Sequence, residues 1–218
     1  ESMTEVVSKA FGAGSDRATR FAELLAVHGV ERGLIGPREV DRLWDRHWLN
    51  SVAIAECVPE RSSVVDVGSG AGLPGIPLAI ARPDLKVVLL EPMARRVAWL
   101  EEVVAKLDLN VTVVRGRAEE KSVRQLLQNR DVVTARAVAP LGKLAGWCLP
   151  LLKTGGRLVA LKGSSAAEEI ERDWDEIARY GGVDPEVQTC GRELLAEPTT
   201  VVVIRRAEST AGRNRKRR

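Results

Sequence analysis

A glycine-rich segment near residue 70 is the first place where residue types and spacing suggest chemistry. It reads Asp66-Val67-Gly68-Ser69-Gly70-Ala71-Gly72-Leu73 and begins inside a short apolar run. Glycines at this spacing let a backbone turn tightly and approach a ligand closely. Leu73 stands where a dinucleotide-binding loop would need its third glycine beside a pyrophosphate. The loop therefore predicts a nucleoside linked to an amino acid, as in S-adenosylmethionine (SAM), contacted by Gly68, Gly70 and Leu73. An ordinary tight turn is the alternative.

The next two apolar runs are also followed by residues suited to such a ligand. Glu91 ends the run 86–91, where a carboxylate about 20 residues after the glycines can accept hydrogen bonds from both ribose hydroxyls. The turn after the following run contains Ala118, which leaves room for an adenine ring, and Glu119, which could contact that ring. The alternatives are a solvated strand end for Glu91 and an acid-rich helix N-terminus for Glu119.

Basic residues end the fourth and fifth runs. Arg136 follows Thr134-Ala135, and Lys162 follows Leu161. Ligands of open α/β sheets bind at the carboxyl ends of strands, so both residues are candidate catalytic residues. Arg136 is expected to anchor the SAM carboxylate or to meet guanine O6, and Lys162 to contact a phosphate or base. A surface ion pair is the alternative for Arg136.

The segment after the fourth run also limits the type of acceptor. It lacks an Asn-Pro-Pro-Tyr motif, which amine-methylating enzymes use to handle a proton. Guanine N7 carries a lone pair and no proton, so its methylation needs no general base. Catalysis then depends on proximity and in-line alignment.

The elements that must position these residues alternate between strand and helix. Runs rich in Val and Leu, without strict alternation, are typical of strands buried on both faces. Such alternation predicts a doubly wound, mostly parallel α/β sheet. Strands are predicted at 63–67, 86–91, 111–115, 131–136 and 157–162, with helices at 75–81, 94–107, 119–128 and 141–151. A helix at 166–180 and strands at 187–190 and 200–205 predict a C-terminal antiparallel hairpin.

Three parts of the chain are expected: an N-terminal helical extension at 1–60, a ligand-binding domain at 61–207 and a disordered basic tail at 208–218. The extension is predicted to contain helices at 18–30 and 39–56. Of the net charge of +3, five positive charges lie in 213–218, which leaves −2 for the rest. RNA would therefore have to be held by a local basic patch and the tail. The candidate RNA contacts are Arg42, Arg46, His47, Lys162, Arg215 and Lys216.

Composition excludes several other classes. The three cysteines, Cys57, Cys148 and Cys190, are far apart along the chain and are interpreted as reduced core thiols. Neither histidine has partners at metal-ligand spacing, so no metal is expected. No apolar run is long enough to cross a membrane, and the first residues lack a signal-peptide pattern. A cytoplasmic protein, expected to be a monomer, fits these features.

The motifs together resemble the ribosomal RNA small-subunit methyltransferase G family, also called glucose-inhibited division protein B. The resemblance spans residues 18 to 206, and its motifs occur in order. Asn50 stands where the family often has Asp. The segments that carry the resemblance are 42–51, 66–75, 116–119, 134–138 and 160–163.

The resemblance implies a class I SAM-dependent methyltransferase fold. It implies methyl transfer from SAM to N7 of the guanine at position 527, in standard numbering, of 16S rRNA. It also implies SAM contacts by Gly68, Leu73, Ala118, Glu119 and Arg136. RNA or the small ribosomal subunit would be the partner.

Three other functions are compatible with parts of the sequence. A SAM-dependent methyltransferase acting on a small molecule or a protein would share the glycine loop. A nicotinamide-dependent oxidoreductase would need the missing third glycine. A SAM-binding protein without catalytic activity would bind the cofactor and form no product.

Overall fold

The computed structural model describes residues 2–38, 48–136 and 139–208. A seven-stranded sheet in the order β3-β2-β1-β4-β5-β7-β6 forms its centre. β1 to β5 are parallel, whereas β7 is antiparallel to both β5 and β6. The strands are β1 (Ser63–Val67), β2 (Lys86–Glu91), β3 (Val111–Arg115), β4 (Arg130–Ala135), β5 (Leu152–Leu161), β6 (Gly182–Cys190) and β7 (Thr199–Arg206).

This sheet confirms the predicted fold, including the C-terminal hairpin. The first three strands have the predicted bounds. β5 begins at Leu152, five residues before the predicted start, and β6 begins at Gly182 rather than at 187. The missed parts of both strands are mostly exposed or half-buried, so they lack the continuous apolar pattern that marks a buried strand.

Helices cover both faces of the sheet, which explains the near-continuous apolar runs. Neighbouring residues of one strand belong to different cores: Val64 packs with α1 to α5, and Val65 packs with α6 to α8. The helices are α1 (Met3–Phe11), α2 (Ser15–His28), α3 (Leu49–Ala53), α4 (Gly75–Ala81), α5 (Ala94–Lys106), α6 (Lys121–Leu127), α7 (Leu141–Cys148) and α8 (Ala166–Arg179).

The N-terminal region is helical where it is described. α1 begins with a capping box in which the Ser2 hydroxyl accepts the Glu5 N–H and the Glu5 carboxylate accepts the Ser2 N–H. Of the predicted helix 39–56, residues 39–47 lie outside the described ranges. The remainder forms α3 and a short 3₁₀ turn at Ile54–Cys57.

Two of the three cysteines meet, although 133 positions separate them. The Sγ atoms of Cys57 and Cys190 lie 3.0 Å apart, and both side chains are buried. Cys148 lies in the other core. Within the described ranges, no helix is long and apolar enough to cross a membrane, and no group of His, Cys, Asp or Glu side chains could hold a metal ion.

Candidate active site

The glycine loop between β1 and α4 is tied to the end of β2. The N–H groups of Gly68 and Ser69 donate to the Leu90 carbonyl oxygen at 2.9 and 3.1 Å. Gly68 has φ +70°, a conformation that L side chains rarely adopt, and its exposed backbone faces open space. The backbone of Gly68 is therefore accessible to a ligand at the carboxyl ends of the strands.

The Glu91 carboxylate anchors this loop by a hydrogen bond. Its Oε1 accepts the Gly70 N–H at 3.0 Å, and its Oε2 accepts the Met93 N–H at 2.7 Å. Arg96 approaches Oε1 at 3.8 Å. Glu91 is only 1% exposed, so the alternative of a solvated strand end is wrong. The carboxylate links the glycine loop to the turn that starts α5.

Leu73 differs from the loop glycines. Its side chain is 4% exposed and packs in the core that contains α1 to α5. A ligand contact at this position would therefore come from the backbone and not from the isobutyl group.

The turn after β3 lies beside Glu91. The Gly116 N–H donates to the Glu91 carbonyl oxygen at 3.1 Å. Ala118 is buried in the core that contains α6 to α8, whereas Glu119 is exposed. Glu120, the residue before α6, accepts the Arg117 N–H at 2.7 Å, which closes the turn, and its side chain does not cap the helix.

Asp66 is a site residue that the sequence reasoning missed. It is fully buried in β1, where Oδ1 accepts the Thr134 hydroxyl at 2.8 Å and Oδ2 accepts the Gly75 N–H at 3.1 Å. Burial raises the pKa of Asp66 to about 6, although these hydrogen bonds oppose the rise. The signal was available, because Asp66 is the one charged residue in the run 63–67.

A cavity of about 990 Å³ opens at the carboxyl ends of β4 and β5. Arg136 is exposed and lines it. Asn50 of α3 also lines it, and accepts the Thr199 hydroxyl at 2.6 Å, which joins the N-terminal region to β7. The described lining residues are Met3, Val6, Leu49, Asn50, Arg136, Leu161, Lys162, Gly163, Ser164 and 194–200.

Lys162 lines this cavity, but its ammonium group does not point into it. Nζ donates to the Ala139 carbonyl oxygen at 2.6 Å and forms an ion pair with Glu169 at 3.0 Å. The side chain is only 6% exposed. The expectation that the Lys162 ammonium is directed at a base or phosphate is therefore wrong, because the ammonium is bonded to the Ala139 carbonyl and the Glu169 carboxylate.

The structure thus brings part of the predicted site together. Gly68, Gly70, Glu91 and the turn containing Ala118 and Glu119 meet at one edge of the sheet, with Arg136 at the neighbouring strand end. The proposed RNA contacts Arg42, Arg46, His47, Arg215 and Lys216 lie outside the described residues.

Comparisons with known proteins match most of the chain. A family model described as rRNA small subunit methyltransferase G matches residues 15–198. The protein named ribosomal RNA small subunit methyltransferase G from Corynebacterium glutamicum is 61% identical over 90% of this chain and 88% of its own length. The protein of that name from Mycobacterium marinum is 54% identical over 98% of this chain and 93% of its own length.

Two solved structures, one of a methyltransferase and one of a protein in complex with AdoMet, share the fold. A SAM-dependent O-methyltransferase from Thermotoga maritima has a TM-score of 0.56 at 19% identity, covering 73% of this chain and 65% of that one. M. jannaschii TYW2 in complex with AdoMet has a TM-score of 0.50 at 22% identity, covering 71% and 72%. At these identities the likeness concerns the fold alone.

Proposed function

The chain belongs to the rRNA small subunit methyltransferase G family, and from that premise we propose that it transfers the methyl group of SAM to N7 of a guanine in 16S rRNA. One observation supports the proposal most directly. Gly68, Ser69 and Gly70 are bonded to the end of β2 through Leu90 and Glu91, and Val67 directly before them pairs with Ala135, directly before Arg136 of the 990 Å³ cavity. The proposed cofactor crevice over β1 and β2 therefore adjoins the strand end that lines the proposed acceptor cavity.

The residues of the crevice fit a nucleoside cofactor. The exposed backbone of Gly68 faces open space, and SAM would supply an electrophilic methyl group there. Glu91 would accept the ribose hydroxyls. Because Glu91 is 1% exposed, this requires the Gly70 segment to move, so that Oε1 exchanges the Gly70 N–H for a hydroxyl. Ala118 and Glu119 would lie on the adenine side.

Arg136 would act at the junction of crevice and cavity. Its guanidinium can hold the methionine carboxylate of SAM or donate to guanine O6, in either case orienting the reacting atoms. The described cavity lining contains the carboxylate of Glu197 and no His, Cys or Tyr. N7 has no proton to lose, so orientation and exclusion of water suffice for the transfer.

RNA binding would rely on basic residues that lie outside the described ranges. Arg42, Arg46 and His47 in the N-terminal extension and Arg215 and Lys216 in the tail would neutralise phosphates, which position a protein without reading sequence. We propose that the protein works in this way as a cytoplasmic monomer on the small ribosomal subunit or its RNA.

A labelling experiment tests the proposal. Ribosomal particles from a strain lacking the protein are incubated with the purified protein and SAM carrying a tritiated methyl group, followed by nucleoside mapping. We expect one 7-methylguanosine in 16S rRNA and none in particles from the parent strain, which are already methylated. Label in protein or small molecules, or in no product at all, would contradict the proposal.

A further inference from the structure

A buried ion pair joins three segments beside the acceptor cavity. Lys162, directly after β5, contacts both the Ala139 carbonyl oxygen and the Glu169 carboxylate of α8. The two side chains are only 6% and 10% exposed. This pair is therefore buried, unlike the exposed ion pairs that contribute little to stability.

Two carboxylates of α8 accept hydrogen bonds from the start of α7. Glu169 accepts the Leu141 N–H at 3.1 Å, and Asp173 accepts the Gly142 N–H at 3.0 Å. These are the first amides of α7, which have no acceptor within their own helix. Residues four apart lie on the same face of a helix, so α8 presents both carboxylates together.

The approach of the two helices is close. A Cβ at position 142 would meet the carboxylate of Glu176, so a larger residue there would force that side chain of α8 to move. Ser165 completes the set by donating its hydroxyl to Oε2 of Glu169 at 2.8 Å. Burial raises the pKa of Glu169, but the bonds from Lys162 and Ser165 outweigh it and leave the pKa lowered, so the carboxylate is ionised.

The held residues come directly after Arg136. Ala139 and Leu141 follow it by three and five positions, so these anchors fix the chain close to Arg136 in sequence. We propose that Lys162 and Glu169 are positioning residues that hold Ala139 and Leu141, and with them Arg136, in place for methyl transfer. The proposal rests on the role of Arg136 in the proposed function.

The energetics of the pair favour positioning over stabilisation. Burying two charges costs hydration free energy that their mutual attraction roughly offsets. An apolar pair of similar size therefore often stabilises the fold equally well. A pair that also holds a carbonyl and a helix start contributes a fixed geometry instead. Enzymes depend on such geometry, since a displacement of about 1 Å can lower a rate by about 100-fold.

Three variants test this role: Lys162→Met, Glu169→Gln and the double variant. Melting temperature, kcat, SAM affinity and the salt dependence of RNA affinity are measured for each. We expect kcat to fall by about 10- to 100-fold in all three, with SAM affinity unchanged. Lys162→Met leaves Glu169 buried without its partner, so its melting temperature falls, and the double variant recovers that loss. The kcat does not recover, because the Ala139 carbonyl is still unheld.

Glu168→Gln is the matched control. Glu168 is the exposed neighbour of Glu169 in α8, so the same substitution there should leave kcat unchanged. Recovery of both kcat and melting temperature in the double variant would reduce the pair to a structural role. Weaker RNA binding with a smaller salt slope in Lys162→Met would instead make Lys162 a phosphate contact. Wild-type kcat in Arg136→Ala would remove the premise and overturn the proposed role of Arg136 as well.

Discussion

The two halves of the sheet's carboxyl edge are held by different kinds of bond. In the half over β1 and β2, backbone N–H groups of the loop meet the Leu90 carbonyl and the Glu91 carboxylate. In the half over β4 and β5, side chains from distant elements, Lys162 and Glu169, hold the backbone instead. The half over β1 and β2, which is proposed to bind the cofactor and is called the cofactor half, is built locally from one loop and one strand end. The half over β4 and β5, which is proposed to hold the acceptor and is called the acceptor half, depends on α8, which follows in sequence.

The acceptor half should show the largest effect of a single substitution. Arg136→Ala removes the guanidinium that lines the cavity, and we expect kcat to fall by about 100- to 1000-fold, as when one preorganised donor of an active site is lost. RNA affinity should change little, because phosphate contacts elsewhere carry it. Single-turnover labelling of undermethylated small subunits, with filter binding beside it, measures both quantities.

Lys143→Ala is the control for this substitution. Lys143 is an exposed residue of α7 that does not line the cavity, and its removal changes the net charge equally. An equal loss in both variants would mean that the general positive field is responsible, and not the position of Arg136.

The cofactor half should respond in binding instead of turnover. Glu91→Ala removes the acceptor proposed for the ribose, and we expect SAM affinity to weaken by about 1.5–3 kcal/mol, the range for hydrogen bonds to a charged group. Glu91→Gln keeps the shape and one acceptor oxygen, so it should lose less. Calorimetric titration with SAM measures the change, and Glu101→Ala on the exposed side of α5 is the control. Unchanged affinity in Glu91→Ala would refute the ribose contact.

Asp66 connects the two halves and should give the smallest effect, as a dependence of stability on pH. Its pKa is raised from 3.8 to about 6, so the folded state binds a proton more tightly than the unfolded state. The free energy of unfolding that it contributes is therefore present at low pH and lost as pH rises through 6. We expect a loss of about 1 kcal/mol between pH 5 and 7.

Asp66→Asn isolates this contribution, because the amide fills the same space and does not titrate. Urea unfolding of both proteins at pH 5, 6 and 7 gives the difference in free energy of unfolding. Wild type should become less stable relative to the variant as pH rises. A difference that stays constant with pH would show that Asp66 does not titrate in this range.

The contrast between the halves explains what the sequence could predict. The bounds of β1 to β3 and the place of Glu91 follow from apolar runs and glycine spacing, which are local patterns. The orientation of the Lys162 ammonium was predicted wrongly because Glu169 lies seven residues later on another element. No spacing rule indicates that pairing. The contact between Cys57 and Cys190 was missed for the same reason, since it forms only when β6 packs beside the 3₁₀ turn.

The strand order also sets when each half can form. One edge of β1 pairs with β2, the next strand along the chain. The other edge of β1 pairs with β4, where Val132 lies opposite Val64, and β4 comes later in the sequence. Pairing between distant segments is slow, because the entropy lost in closing a long loop comes before the stabilising contacts form. During synthesis, the glycine loop and Glu91 can therefore meet well before β4 exists. Until then β1, an apolar strand, has an open edge that can pair with other chains. A chain truncated before β4 should aggregate instead of behaving as a small cofactor-binding fragment.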